Sequence, residues 1–198
     1  EVRADSRPVL SSPKYTQPLV DTPQTITIIK KEVLQDQGAT TLTDALRNTP
    51  GITFQMGENG NTATGDAVFM RGFDTSNSIF VDGIRDVGTL SRDVFNIEQV
   101  EVIKGPAGTD IGRGAPTGYI NLVSKVPSNE NFFAGGVSLG SANFKRSTVD
   151  LNRSVNEAGT VAFRLNAMAQ DGGVPGRDEV ENKRWGIAPS LAIGLGTP

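Results

Sequence analysis

The C-terminal third of the sequence alternates between apolar and polar or small residues. The pattern is clearest in "TVAFRLNAMAQ" (160–170) and "WGIAPSLAIGL" (185–195). A period of two places neighbouring side chains on opposite faces of a β-strand, so no helix fits this stretch. The alternation and the polar turns between runs predict four sequential antiparallel strands, at 132–141, 145–154, 160–170 and 184–195.

The two faces of this predicted sheet differ in chemistry. The apolar face is predicted to carry Val161, Phe163, Leu165, Ile187 and Ile193, and the other face Arg164, Asn166 and Ser190. A soluble sheet with one wet face would show this alternation, and so would strands that cross a bilayer in about 10 residues. Aromatic residues at the strand ends, Trp185 and Phe132-Phe133, favour the membrane reading, but alternation alone leaves both open.

Residues before 125 predict a mixture of short strands and helices. "TITIIK" (25–30) is rich in β-branched residues and predicts a strand, which "KEVLQDQG" (31–38) follows as a short helix closed by glycine. "TTLTDALRNTPG" (40–51) predicts a helix over 41–48. Thr41 is its expected N-cap and Asp44 completes a capping box, while Leu42, Ala45 and Leu46 form the buried face.

The second half of this region predicts the centre of the fold. "SIFVDGIRD" (78–86) predicts a strand with a turn at Asp82-Gly83, and "LSRDVFNIEQ" (90–99) predicts a short helix. Residues 100–104 and 119–124 predict two strands of a short sheet. Residues 1–24 contain four prolines and few apolar side chains, which predicts an extended, mostly disordered leader.

Composition excludes several classes of function. The chain contains no cysteine and no histidine, so it offers neither thiolate nor imidazole to a metal or a catalytic mechanism. A formal net charge of −3 gives no basic field for nucleic acid. The glycine-rich "KGPAGTDIGRG" (104–114) lacks the phosphate-loop pattern and runs into a strand-like segment, which disfavours a nucleotide site.

Several blocks of sequence together resemble the plug domain of TonB-dependent outer-membrane receptors. The blocks are "DTPQTITII", "TTLTDALRNTPGITF", "MRGFD", "SIFVDGIRD" and "RDVFNIEQVEVIKGPAGTDIGRGAPTGYINLVSK". They occur in the family's order and spacing and cover residues 19–125 almost continuously. "SPKYTQPLVDTPQTITI" and "RDVFNIEQVEVIKGP" are most similar to the catecholate-siderophore branch, which includes the Fiu-like receptors.

The resemblance implies an architecture and a function. It implies an extended periplasmic leader (1–24), an α+β plug domain (25–127) and the first four strands of a transmembrane β-barrel (128–198), with the remaining strands missing from this chain. The implied function is TonB-coupled uptake of a ferric siderophore, of catecholate type, across the bacterial outer membrane. The implied partners are the siderophore, the TonB protein and outer-membrane lipid. No intrinsic cofactor is expected, because the siderophore carries the ferric iron.

The resemblance also nominates site residues. The family's outward plug loops correspond to 57–66, 74–78 and 84–93, so the anionic ligand is expected to contact Arg85 and Arg92, with hydrogen bonds from Asn61, Asn77 and Ser78. An alternative for both arginines is a structural ion pair with Asp82, Asp86 or Asp93. Two further arginines, Arg71 and Arg113, are expected to pair with acidic residues of the barrel wall as a plug–barrel latch.

Two other functions remain open from the sequence. A soluble binding or signalling module with a plug-like fold would pack residues 132–195 as a small sheet on residues 25–125. A magnesium-dependent enzyme would use Asp82 and Asp86, which lie four residues apart across a turn, although the sequence provides no accompanying base or phosphate loop.

Overall fold

The computed structural model describes residues 9–55, 65–88, 90–107, 111 and 116–196. The chain divides into two compact units, Glu1–Ser124 and Lys125–Pro198. The predicted boundary at residue 127 lies close to this division.

The first unit combines short strands with two short helices. A 3₁₀ turn at Leu19–Asp21 precedes the regular elements. These are, in chain order, β1 (Thr25–Lys30), α1 (Lys31–Asp36), α2 (Leu42–Leu46), β2 (Ile52–Phe54), β3 (Val68–Met70), β4 (Phe73–Asp74), β5 (Ile79–Val81), β6 (Ile84–Arg85), β7 (Ile97–Lys104) and β8 (Gly118–Ser124).

The main sheet of the first unit is mixed, as predicted. Its strand order is β1-β7-β8-β5-β6, and only the β5–β8 pair is parallel. A second sheet contains β2, β3 and β4. The predicted turn at Asp82-Gly83 joins β5 to β6, and both of its residues have positive φ angles (51° and 79°), as a tight hairpin turn requires.

One face of the main sheet packs against the helices. Thr41 Oγ1 accepts the Asp44 N–H (3.2 Å) and Asp44 Oδ2 accepts the Thr41 N–H (3.2 Å), so the predicted capping box starts α2. The helix buries Leu42, Ala45 and Leu46, as predicted, although it ends sooner than expected. These side chains join Val100, Val102, Ile120 and Leu122 of the central strands in one apolar core.

The other face of the same sheet is covered by the N-terminal segment. Leu10 is buried with Phe80, Ile103 and Tyr119. Next to it, the buried Glu101 carboxylate accepts the backbone N–H of Ser11 at 2.6 Å. The expectation of disorder is therefore wrong for residues 9–24, because apolar anchors and this hydrogen bond compensate for the prolines of the segment.

The predicted helix at 90–99 is also wrong. Strand β7 already begins at Ile97, and no helix forms among residues 90–96. The carbonyl of Arg92 accepts the N–H of Leu42 (2.9 Å), and Asp93 forms a β-bridge with Thr41. These tertiary hydrogen bonds hold the backbone extended at the start of α2 and override its local helical pattern.

A glycine at the start of β8 allows the central strands to pack closely. Gly118 has a φ angle of +123°, and a Cβ built on it would lie 2.2 Å from the carbonyl oxygen of Ile103. No other residue fits there without moving β7. The glycine-rich segment thus serves strand packing, at least at Gly118.

The second unit is a meander of long antiparallel strands. Its elements are β9 (Phe132–Leu139), β10 (Lys145–Ser154), β11 (Val161–Asp171), β12 (Gly173–Val174), β13 (Arg177–Glu181) and β14 (Arg184–Ile193). The sheet order is β14-β11-β10-β9, which confirms the four predicted strands. The small β12–β13 hairpin lies in a segment that the sequence predicted only as a polar turn.

The register of this sheet confirms the predicted division of its faces. Phe163 pairs with Leu191 and Ala167 with Ile187, while Arg164 pairs with Ser190. The outward face exposes large apolar side chains, including Trp185 at 80% and Ile193 at 77% of their accessible surface. The opposite face buries polar side chains, namely Arg146, Asn152, Arg164, Asn166 and Gln170.

Candidate functional site

Arg85 lies at the end of the β5–β6 hairpin and is half-buried. Its guanidinium carbon is 5.2 Å from the centre of the Phe80 ring, and Nη1 donates to the carbonyl of Asn77 at 3.1 Å. Phe80 in turn packs edge-on against Tyr119, with ring centres 5.6 Å apart. Phe80 is itself buried, so the hairpin presents a guanidinium held on a core aromatic ring, and such a cation is suited to anions.

Arg92, the other predicted ligand arginine, is buried in the protein. Its side chain forms ion pairs with Asp66 (3.1 Å) and Asp86 (2.7 Å). The same guanidinium donates to the carbonyls of Leu90 (3.2 Å), Asp86 (3.1 Å) and Gly88 (3.5 Å). The expectation that Arg92 is an exposed binding group is wrong, and the alternative of an ion pair with Asp86 is correct.

The neutral residues nominated with these arginines differ in accessibility. Asn77 is exposed, whereas Ser78 is buried, and its carbonyl accepts the N–H of Ile120 at 3.0 Å. A buried Ser78 is poorly placed to meet a ligand. Asn61 lies outside the described residues, and so does Arg113.

Arg71 lies on the edge of a basic cleft in the first unit. The cleft encloses about 760 Å³, and its cationic lining residues are Lys14, Arg71 and Lys104. Lys104 is buried, and its Nζ donates to the carbonyl of Pro50 at 2.6 Å. Burial, together with the positive charge of Arg71, lowers the pKa of Lys104 below its usual value.

Sequence reasoning missed Lys104 as a partner of Arg71. The two residues are far apart in the chain and meet at the turn before β2, where the Arg71 N–H donates to the carbonyl of Gly51 (2.8 Å) and Lys104 donates to that of Pro50. The cleft has no acidic residue in its described lining. The sequence signal that could have identified Lys104 is the "KGP" turn, which places this lysine at the end of the central strand β7.

The arrangement gives no support to a metal-dependent enzyme. Asp86 is engaged by Arg92, and Asp82 Oδ1 accepts the N–H of Ser124 at 2.8 Å. Within the described ranges, no group of three or more acidic residues could hold a metal ion. The same ranges contain no helix of the length and apolarity needed to cross a membrane.

The buried face of the second unit is held by charged groups. Asp150 accepts two hydrogen bonds from Arg164, both 2.8 Å long, and forms an ion pair with Lys125 at 3.1 Å. Arg164 also donates to the carbonyl of Val126 at 2.8 Å. This cluster fixes residues 125–126 to the sheet, opposite the exposed apolar face.

Comparison with known proteins places the chain in a family. The family described as "TonB-dependent Receptor Plug Domain" matches residues 18–119. The chain is 56% identical over 188 residues to the catecholate siderophore receptor Fiu of Escherichia coli K12, covering 94% of this chain and 24% of that protein. It is 41% identical over 186 residues to PiuA of Acinetobacter baumannii, a probable TonB-dependent siderophore receptor, covering 93% and 25%.

Solved structures agree with these relatives. The crystal structure of the ferric-catecholate import receptor Fiu from E. coli K12, in its closed form, superposes with a TM-score of 0.88 at 56% identity, covering 96% of this chain and 26% of that chain. The siderophore receptor PiuA of A. baumannii gives 0.87 at 40% identity, covering 96% and 27%. The chain thus spans about a quarter of the length of its relatives. Its fold and its sequence show that it belongs to the family of TonB-dependent receptor plug domains.

Proposed function

We propose that the protein takes up ferric siderophores of catecholate type across the bacterial outer membrane, with energy delivered by TonB. The observation that carries this proposal is a plug-domain fold followed directly by a sheet that exposes apolar side chains and buries polar ones. Fiu, with 56% identity, is a ferric-catecholate import receptor, which supports the ligand class. Ferric iron is the cargo and arrives inside its chelator, so the protein itself needs no metal ligands.

The sheet of the second unit is proposed to be the start of a transmembrane barrel. Its outward face exposes apolar side chains over the strands, and Trp185 lies at the end of that band, where aromatic residues favour the membrane interface. A soluble module would bury such a face, because contiguous exposed apolar surface promotes aggregation. Remaining strands of the full-length protein would pair with the free edges of β9 and β14.

Spin labels at adjacent positions test this orientation. Labels at positions 163 and 164 of the full-length protein in lipid should report opposite environments, because these residues point to opposite faces of β11. Position 163 should be accessible to oxygen dissolved in lipid. Lipid-like signals at both positions would contradict the assignment.

Arg85 is the proposed contact of this chain with the ligand. A ferric tris-catecholate complex is anionic, and Arg85 offers it a half-buried guanidinium that the buried Phe80 ring holds in place. Asn77, exposed next to it, is proposed to add a hydrogen bond. A partly desolvated, charge-assisted contact contributes about 1.5–3 kcal/mol, which is roughly ten- to a hundredfold in affinity.

Growth and binding assays test the function and this contact together. The full-length gene should restore growth of a receptor-deficient strain on ferric catecholates, and Arg85→Ala should weaken binding by roughly ten- to a hundredfold. Arg47→Ala is the matched control, because Arg47 is an exposed arginine that pairs only locally with Asp44. Growth on no ferric siderophore with the gene restored would refute the function. Wild-type affinity in Arg85→Ala would refute the contact alone.

The basic cleft is the proposed plug–barrel latch. Arg71 and Lys104 both line this cleft, whose described lining contains no carboxylate, and an acidic side chain from the remaining barrel wall would pair with them. A charge-assisted latch of this kind holds the plug and still permits movement during transport. The role proposed for Arg113 rests on the sequence resemblance alone.

A further inference from the structure

The buried side chain of Arg92 donates hydrogen bonds to an unusual number of acceptors. Only 9% of the residue is exposed, yet its guanidinium bonds to two carboxylates and three backbone carbonyls. We call residues 86–88 and 90–92 the Arg92 loop. All three carbonyls belong to this loop, so a single side chain is bonded to the loop backbone at three residues.

Asp66 anchors this loop to the rest of the first unit. Its carboxylate accepts both the N–H of Arg92 (3.0 Å) and the guanidinium, and its own N–H donates to the carbonyl of Leu90 at 3.0 Å. Thr43 of helix α2 donates to the other carboxylate oxygen at 3.3 Å. Through Asp66, the Arg92 loop is joined to the start of β3 and to α2.

The loop held in this way presents apolar side chains to solvent. Val87 and Leu90 are 68% and 58% exposed, and Ile84 of the adjoining hairpin is 76% exposed. Single exposed apolar residues are common, but these three fall within seven positions of the chain, and exposed apolar surface of this kind can serve a binding site. They belong to the same chain segment as Arg85.

Energetic considerations favour a role for Arg92 in ordering the loop over a role in stabilising the fold. Burying a guanidinium with two carboxylates is a poor way to gain stability, because desolvation offsets most of the attraction. The arrangement does remove conformational freedom from a surface loop, and a loop that is already ordered loses less entropy when it binds a ligand.

We infer that Arg92 is a positioning residue, which holds the Arg92 loop in the shape that presents Val87 and Leu90 to the aromatic rings of the ligand. This inference rests on the proposed function, in which the ligand is a ferric catecholate. Arg92 itself does not touch the ligand. Its effect passes through the loop backbone.

Arg92→Lys in the full-length receptor separates the effect of the ordered loop from the effect of the positive charge. Lysine keeps a positive charge for Asp66 but cannot reach five acceptors in a planar fork. We expect Arg92→Lys to melt near the wild-type temperature, to exchange the amides of the Arg92 loop faster, and to bind ferric tris-catecholate about tenfold more weakly by calorimetry. Wild-type affinity in Arg92→Lys would overturn the inference.

Asp86→Asn is the second variant, in case Arg92→Lys fails to fold. Asp86 is the more exposed of the two carboxylates, so its removal keeps the buried pair of Arg92 with Asp66. Faster exchange confined to the Arg92 loop, with weaker binding, supports the inference, and unchanged exchange overturns it. If the wild-type receptor binds no ferric catecholate, the proposed function fails. Exchange then decides by itself whether Arg92 orders the loop.

Discussion

The two units of this chain differ in where they place their apolar side chains: the first unit buries them, and the second exposes them on one face of its sheet. In the first unit, Leu42, Leu46 and Ile120 are fully buried. In the second, Ile187, Leu191 and Ile193 are largely exposed, while Arg164 and Asn166 are buried. The same amino acids thus follow opposite rules within one chain.

This difference indicates which surrounding would suit each unit. The first unit removes apolar surface from water, as a soluble domain does. The second unit turns apolar surface outward and pairs buried charged groups with each other, as Asp150 pairs with Arg164 and Lys125. Such a sheet suits an apolar surrounding, because there the outward face costs nothing and unpaired polar groups cost several kcal/mol each.

Removal of the charge at the centre of the second unit should have the largest effect. Asp150→Asn leaves Arg164 and Lys125 buried without their shared carboxylate, and should lower the free energy of unfolding by about 3–5 kcal/mol. Denaturation of the full-length protein in detergent measures this loss. Asp171→Asn in the same sheet is the control, since Asp171 is exposed and lies 4.0 Å from its partner Lys183. Equal losses for both variants would show that buried charge does not hold this unit.

A cavity in the first unit should have the next largest effect. Leu46→Ala truncates a fully buried side chain and should lower the free energy of unfolding by about 2–5 kcal/mol. The same substitution at Leu191, which is 61% exposed, leaves no cavity and should cost less. Thermal denaturation compares the two. An unchanged melting temperature for Leu46→Ala would disprove the packing of α2 on the sheet.

Glu101 breaks the rule of the first unit, since it is a buried charge inside an apolar domain. Its carboxylate accepts hydrogen bonds from Ser11, Gln99 and Asn121. Glu101→Gln replaces one accepting oxygen by an NH₂ group, which cannot accept hydrogen bonds from these donors. The substitution should lower the free energy of unfolding by about 1–3 kcal/mol. Hydrogen exchange should then increase in residues 9–24. Glu98→Gln on the same strand, a half-exposed pair with Lys31, is the control. Unchanged protection of residues 9–24 would mean that the apolar contacts of Leu10, Tyr15 and Leu19 hold the segment without Glu101.

Lys104 should give the smallest effect, a change of stability with pH. Its folded pKa lies below its unfolded value, because burial and Arg71 disfavour the charge. Between the two values only the unfolded chain keeps the proton, so stability should rise as pH rises through this window. Denaturation of wild type and Lys104→Gln over alkaline pH measures the difference. In the full-length protein, a latch carboxylate in the cleft would raise the pKa instead, and the trend would reverse.

The sequence predicts the features of this fold that depend on neighbouring residues. The period of two in 160–170 gives both the strand and its faces, since each residue's side is set by its position. The capping box of Thr41 and Asp44 also lies within one helical turn. Together with the plug resemblance, these local signals account for the mixed sheet and the four long strands.

Features that depend on distant residues were missed. Arg92 looks like an ordinary loop cation until Asp66, which is 26 positions away, is seen beside it. Ser11 and Glu101 are 90 positions apart, so no local pattern revealed that the proline-rich segment is ordered. The helix expected at 90–99 fails for the same reason, because bonds to Thr41 and Leu42 outweigh local propensity.

The strand order of the main sheet sets the order in which the first unit can fold. Its two central strands, β7 and β8, come last in the sequence of that unit, and the edge strand β1 pairs across the chain with β7. Helix α2 and the N-terminal segment lack the central strands of the sheet on which they pack until residues 97–124 are present. Contacts of such long range make folding slow. The unit should therefore acquire its structure in one late step, after most of its chain has emerged, and shorter N-terminal pieces should remain unfolded.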